Sequence, residues 1–365
     1  MDNEKRFELM KEVGEEILTE EDLKSLLKEK KDLIAYDGFE PSGRIHVAQG
    51  ILRAININKM IKAGCKFKML VADWHGWANN KMGGDLSRIQ TVGKYFIEVW
   101  KATGMNLKKV DFIWVSDYVK DDNYWKLVMN IARANTVQRI IRCSQIMGRS
   151  ESDTLSAAQI LYPCMQCADI FYLKADIAQL GMDQRKVNVL AREIAPKLGV
   201  SKPIVVSHHM LMGLSEPPKE GLDSIERAIA MKMSKSKPDS AIFMTDTKED
   251  IARKIKKAYC PEKQVKDNPV LEYYKYILFE KHHLTGEDST IIMIERPEKF
   301  GGNITFYSYS ELEKSFEEGK VHPVDLKNTA TNILDELLQP VREHFEKNKD
   351  AEKLKELVDS FEVTR

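Results

Sequence analysis

Between residues 33 and 142 the chain repeats one pattern: a short apolar run, a turn, then a longer stretch whose apolar residues recur at helical spacing. "LIAYDGFEPSG" leads to "HVAQGILRAININKMIKAG", "CKFKMLVADWHG" to "DLSRIQTVGKYFIEVWKATG", and "KKVDFIWVSDYV" to "NYWKLVMNIARANTVQRIIR". Alternating strands and helices argue for an α/β fold built on a doubly wound parallel sheet. Ligands of such sheets sit beyond the carboxyl ends of the strands, so chemistry is expected at "YDGFEPSGRIH" and "ADWHGW".

Around this repeat the texture changes. Residues 7 to 30 read as one or two short helices, with Thr19 and Asp22 spaced as a capping box. The strand-like "PIVVSHHML" is followed by "GLSEPPKEGLDS", a surface loop by composition. From Thr247, with Asp250 again at capping distance, the pattern is mainly helical, which puts a boundary near residue 245.

No stretch is apolar for long enough to span a membrane. The five cysteines, Cys65, Cys143, Cys164, Cys167 and Cys260, are odd in number and scattered, and the start "MDNEKRFELMKEVGEE" lacks an apolar run, so a reducing, cytoplasmic setting is expected. Cys164 and Cys167 form a C-x-x-C without a second pair at zinc spacing, and read as buried small hydrophobes. His208-His209 and His282-His283 are adjacent pairs whose side chains should diverge, so no metal site is expected. Lys plus Arg and Asp plus Glu balance at 56 each, so a polyanionic partner would have to be met by local basic clusters.

Two distant stretches carry the chemistry: "EPSGRIHVAQG" at 40–50, where a strand turns into a helix, and "KMSKS" at 232–236. The pair resembles the two signatures of the class I aminoacyl-tRNA synthetases, His-Ile-Gly-His and Lys-Met-Ser-Lys-Ser. Alone, His46 would read as a structural histidine and the lysines as a solvated loop; together they fit ATP activation. Attack on an α-phosphate builds negative charge that needs preorganised donors. His46 at a helix start adds an imidazole to N–H groups already aimed at an anion, and Lys232 and Lys235 can close over the β- and γ-phosphates with Ser234 and Ser236. The second motif histidine is replaced by Gln49, which donates a hydrogen bond but carries no charge. The resemblance also implies Gly38, Phe39, Gly43 and Met233 beside ATP, with Mg²⁺ accompanying the nucleotide.

"LYPCMQCADIFYLKADIAQLGMDQRKVNVLARE", with "AYDGFEPSG", is similar to tyrosyl-tRNA synthetases of the archaeal and eukaryotic cytosolic type. By that resemblance Tyr36 and Asp169 meet a phenol hydroxyl, while Tyr162, Gln166 and Gln184 fix an α-amino group. Independently, Tyr162, Gln166 and Asp169 stand at i, i+4 and i+7, one face of a helix, as a polar stripe in an apolar run. Such a carboxylate is left unpaired by phenylalanine, which is how a site built for a hydroxyl rejects the deoxy analogue. The rival reading is a capping or surface aspartate.

The resemblance puts Arg185 and Lys186 at the acceptor end of tRNA(Tyr), and Phe300, His322 and Asp325, in "RPEKFGG" and "KVHPVDLKN", at the anticodon. Without it, Phe300 would read as core and "HPVD" as a helix start. Arg253, Lys254, Lys256 and Lys257 in "IARKIKKAY" face either phosphates or water. The implied organisation is an N-terminal helical segment (1–30), a Rossmann-like catalytic domain (31–245) with a dimer and acceptor-stem region near 120–165 and a signature loop near 213–240, and a helical anticodon-binding domain (246–365), in a homodimer. Rivals are a tryptophanyl enzyme, a small-molecule adenylyltransferase, and a non-catalytic tRNA-binding paralogue.

Overall fold

The computed structural model describes residues 1–148, 154–218, 227, 231, 233 and 238–361. A six-stranded sheet contains β1 (Glu16–Leu18), β2 (Leu33–Phe39), β3 (Cys65–Val71), β4 (Val110–Trp114), β5 (Ile177–Gly181) and β6 (Ile204–His208), in the order β1-β6-β5-β2-β3-β4. Every pairing is parallel except β1 with β6. The chain winds outward from β2 through β3 to β4, then returns to add β5 and β6 on the other side. The switch point therefore lies between β2 and β5, and their carboxyl ends open the crevice where this class of sheet holds its ligand.

Two elements depart from the sequence reading. β1 lies within the stretch read as helical, between helices Asn3–Val13 and Glu20–Glu29; three residues are too few to display alternation. The helix expected through "NYWKLVMNIARANTVQRIIR" is two, Asp122–Arg133 and Val137–Ile141. Asn135 Nδ2 donates to the Ile131 carbonyl, and Thr136 Oγ1 accepts from Arg139 N–H, so one helix stops and the next is capped within two residues. The expected caps hold: Thr19 Oγ1 accepts from Asp22 N–H at 3.1 Å and Thr247 Oγ1 from Asp250 N–H at 3.2 Å.

The core is continuous across residue 245. One buried apolar cluster runs from Phe7 and the β2–β3 strands through Phe96 and Trp100 to Tyr273, Leu334 and Phe345. The charged stretch near the C-terminus folds as helix Lys349–Ser360, which buries Ala351 and Val358 and packs on helix Leu86–Ala102. A two-stranded antiparallel ribbon, β7 (Ile292–Ile294) with β8 (Ile304–Phe306), completes the helical half. No described helix is long and apolar enough to cross a membrane.

Candidate active site

Helix Ala157–Tyr172 carries the polar stripe. Ser156 and Gln159 cap its start reciprocally, and Pro163 removes one N–H from its ladder. Asp169 is fully buried, and Tyr162 and Gln166 are 6% exposed. Gln166 Nε2 donates to Gln184 Oε1 at 3.0 Å, and Gln184 Nε2 to the Ile146 carbonyl at 3.1 Å. Tyr36, from the middle of β2, is 1% exposed; burial and the neighbouring Asp169 charge hold its hydroxyl well above the usual phenol range, so it stays a donor. The five residues assigned to the amino acid thus gather from β2, the helix and the turn after β5 around one buried carboxylate. The surface or capping alternative for Asp169 is excluded by its burial.

Three further side chains complete this pocket. Asp169 Oδ1 accepts from Tyr118 Oη at 2.7 Å and from Tyr124 Oη at 3.0 Å. His75 Nε2 lies 3.0 Å from Asp169 Oδ2 without hydrogen-bond alignment, and its ring meets that of Tyr162 edge-on at 4.9 Å. "ADWHGW" marked the turn after β3 as a ligand edge, but nothing in sequence tied His75, Tyr118 or Tyr124 to Asp169, 94, 51 and 45 residues away.

The expected nucleotide end begins where β2 leaves the sheet. Gly43 has φ +58, a left-handed turn that glycine adopts without strain. Ile45 and Val47 then pair with residues that follow the second signature: Val47 N–H donates to Ile242 O at 2.9 Å and Met244 N–H to Ile45 O at 3.0 Å, with His46 opposite Phe243. A π-helical turn, Ala48–Leu52, opens helix Arg53–Lys62, and a Cβ on Gly50 would overlap the Met244 thioether. The first signature and the exit of the second are therefore laced together by backbone. Lys232, Ser234, Lys235 and Ser236 lie outside the described residues.

Gln49 is half-buried; its carbonyl accepts from Trp100 Nε1 at 3.1 Å, and its Oε1 has no hydrogen bond. Met233 is 5% exposed, with Tyr273 Oη 3.9 Å from its sulfur, and the Phe39 ring packs with Phe96 and Trp100. Both side chains are buried in the core. Beside Gly38 the buried pair Asp37 and Arg53 approaches to 3.0 Å, and burial pushes the Asp37 carboxyl up to about 6 against the pull of Arg53 and the Gly38 N–H.

Arg44 joins this turn to the helical half. Its guanidinium donates to Thr245 Oγ1 and Asp246 Oδ1 at 3.2 and 3.1 Å, lies 3.7 Å from Asp359, and stacks 4.4 Å over Phe243. Asp246 is also bound by the buried Lys254, which donates as well to the Ala241 carbonyl. Lys254 therefore faces the interior, Arg253 is paired with Asp239 and Asp250, and Lys257 lies 3.7 Å from the same Asp239 carboxylate, while Lys256 is exposed.

Of the residues expected to meet tRNA, Arg185 is tied to Glu16, its Nε at 2.7 and 3.0 Å from the two oxygens, and Lys186 follows in the first turn of helix Arg185–Leu198. Phe300 is 61% exposed, so the core reading fails. Arg296 donates to the Gly302 and Lys320 carbonyls and so binds the Phe300 turn to the segment before His322, an anchor the sequence did not reveal. His322 Nδ1 accepts from Val324 N–H, capping helix Pro323–Lys347, while Nε2 lies 3.1 Å from Glu262; Asp325 follows in the first turn.

The described cysteines are free thiols, and Cys164 and Cys167 are buried. His208 and His209 diverge as expected: His208 faces Gln179 at 2.7 Å, and His209 lies between Glu15 and Glu272. The rings of His282 and His283, at the start of the short helix His282–Thr285, do not diverge but lie 4.0 Å apart. With Glu280 they form a possible three-ligand cluster, though the Lys59 ammonium already stands 2.7 Å from that carboxylate.

The sequence pattern of the class I tRNA synthetases for tryptophan and tyrosine matches residues 28–339. Tyrosine–tRNA ligase 1, cytoplasmic, of Arabidopsis thaliana is 53% identical over 365 residues, 99% of this chain and 90% of the relative. This chain belongs to the tyrosyl-tRNA synthetase family. The synthetase of Pyrococcus horikoshii, solved with L-tyrosine, superposes with a TM-score of 0.89 at 41% identity over 98% of this chain and all of that one. The Leishmania major enzyme with tyrosinol gives 0.87 at 45% identity over 99% of this chain, which spans only 52% of the Leishmania chain. A tryptophanyl synthetase from Aeropyrum pernix, at 18% identity and a TM-score of 0.65, shares the fold alone. Class I synthetases take ATP as substrate, and the family membership carries that substrate class to this chain.

Proposed function

We propose that the chain is a tyrosine–tRNA ligase. The carboxylate of tyrosine attacks the α-phosphate of ATP, giving tyrosyl adenylate and pyrophosphate. A ribose hydroxyl at the 3′ end of tRNA(Tyr) then attacks the tyrosyl carbonyl and expels AMP. The observation that carries this reading is the buried Asp169, whose Oδ2 lacks a hydrogen bond in a pocket lined by Tyr36 and Tyr162. Such an oxygen is costly unless a donor arrives, and a substrate phenol brings one that phenylalanine lacks. An indole has no comparable hydroxyl, which disfavours the tryptophanyl alternative.

In this reading Tyr36 donates to the phenol oxygen, and Tyr162, Gln166 and Gln184 receive the ammonium group; the Gln166–Gln184 hydrogen bond already orients the last two. His46 and Gln49 meet the phosphates from the first signature, beside the Gly38 and Gly43 backbone. Lys232 and Lys235, with Ser234 and Ser236, neutralise the departing pyrophosphate. Catalysis is positioning and charge stabilisation without a covalent enzyme intermediate. Mg²⁺ is taken to arrive with the nucleotide, whose phosphates are its natural ligands. Arg185 and Lys186 would meet the acceptor end, and Phe300, His322 and Asp325 the anticodon, in a cytoplasmic homodimer. The test is ATP–pyrophosphate exchange with tyrosine, phenylalanine and tryptophan. Exchange with tyrosine alone is expected; exchange with tryptophan would move the chain to the sister activity, and tRNA binding without exchange would make it a non-catalytic paralogue.

A further inference from the structure

The two oxygens of Asp169 are used unequally. Oδ1 takes the hydroxyls of both Tyr118 and Tyr124, while Oδ2 has no hydrogen bond although the carboxylate is fully buried. A carboxylate oxygen offers about two lone-pair directions, so two donors saturate Oδ1. The donors come from separate elements, Tyr118 from the turn after β4 and Tyr124 from helix Asp122–Arg133, so they hold the group from outside its own helix. Their rings are themselves fixed: Tyr118 meets Tyr124 edge-on at 5.0 Å, and Tyr172 lies 4.8 and 5.5 Å from the two.

We propose that Tyr118 and Tyr124 are specificity-determining positioning residues, which pin the Asp169 carboxylate through Oδ1 so that Oδ2 is left as the acceptor for the substrate hydroxyl. This rests on the reading of the pocket as a tyrosine site. Two donors on one oxygen oppose rotation of the carboxylate. Burial, with the adjacent Asp169 charge, holds both phenols well above their usual range, so they remain protonated donors. An immobile carboxylate gives the largest penalty when phenylalanine fills the pocket, because Oδ2, with only the misaligned His75 Nε2 at 3.0 Å, cannot turn toward a better partner. Freed of its donors, the same group could rotate, which blunts the distinction.

The test is Tyr118→Phe, Tyr124→Phe and the double variant, which keep the packed rings and remove only the hydroxyls. Pyrophosphate exchange is measured with tyrosine and with phenylalanine, beside thermal melts. Each single change is expected to lower the ratio of kcat/KM for tyrosine to that for phenylalanine by about tenfold, the effect of one hydrogen bond to a charged acceptor, and the double change by more. The fall should come chiefly from a raised KM for tyrosine, with kcat/KM for phenylalanine unchanged or raised. A parallel loss for both amino acids, or a ratio that does not move, overturns the assignment. A wild type that exchanges with tryptophan, or with no amino acid, overturns the tyrosine reading instead, and is recognised before any variant is compared.

Discussion

Asp169 and Asp325 are both carboxylates proposed to read a hydrogen-bond donor, yet Asp169 is wholly buried and Asp325 stands part-exposed in the first turn of a helix, beside the exposed Phe300 and His322. The contrast follows from what each site receives. A free amino acid is small and must be recognised over nearly all its surface, so its pocket is closed by the core and its polar atoms are oriented in advance. A splayed base brings one face and one edge, and water serves the protein groups until it arrives. The first site carries its desolvation cost within the fold, and the second defers it to binding.

This difference predicts separable failures. Asp169→Ala removes the buried acceptor and should cut tyrosine-dependent pyrophosphate exchange by about a hundredfold or more, as expected for a hydrogen bond to a charged group with its partner left unmet; retained exchange would show that the buried site does not read the phenol. Phe300→Ala and Asp325→Ala should leave exchange unchanged while raising the KM for tRNA by about tenfold, within the range of one stacked base; an equal effect on exchange would erase the distinction between the enclosed and open sites. The smallest effect belongs to neither site. His209 stacks on Tyr276 at 4.2 Å between Glu15 and Glu272, and although burial works against the charge, the two carboxylates push its pKa up to about 9. Because the folded value lies above the ordinary one, its stabilisation is complete below about pH 6.5 and is lost as the pH rises through 9. The melting temperature should fall by a few degrees across that window, the scale of a change of about 1 kcal/mol, and His209→Gln should remove that part of the slope.

What could be read from the sequence was local. The strand and helix repeat, the caps at Thr19 and Thr247 and the i, i+4, i+7 stripe depend on neighbours within a few residues, and each is present. β1 escaped because it exists only through its antiparallel partner Val205–Ser207. His75, Tyr118 and Tyr124 escaped because their meeting with Asp169 is made by the sheet order, which brings the turns after β3 and β4 to one crevice. For Phe39 and Met233, likeness to a motif fixes where the backbone runs but not which way a ring or thioether faces, and both side chains are packed inward.

Arg44 has a consequence for how the protein comes apart. One guanidinium binds Thr245, Asp246 and Asp359, which lie about 200 to 315 residues along the chain from it, above the larger of two apolar clusters, the one that runs across residue 245. Neither half can melt without exposing the face and the ion pairs of the other. Calorimetry should therefore record a single endotherm whose van't Hoff and calorimetric enthalpies agree, so that the sheet and the helical half share one thermal fate.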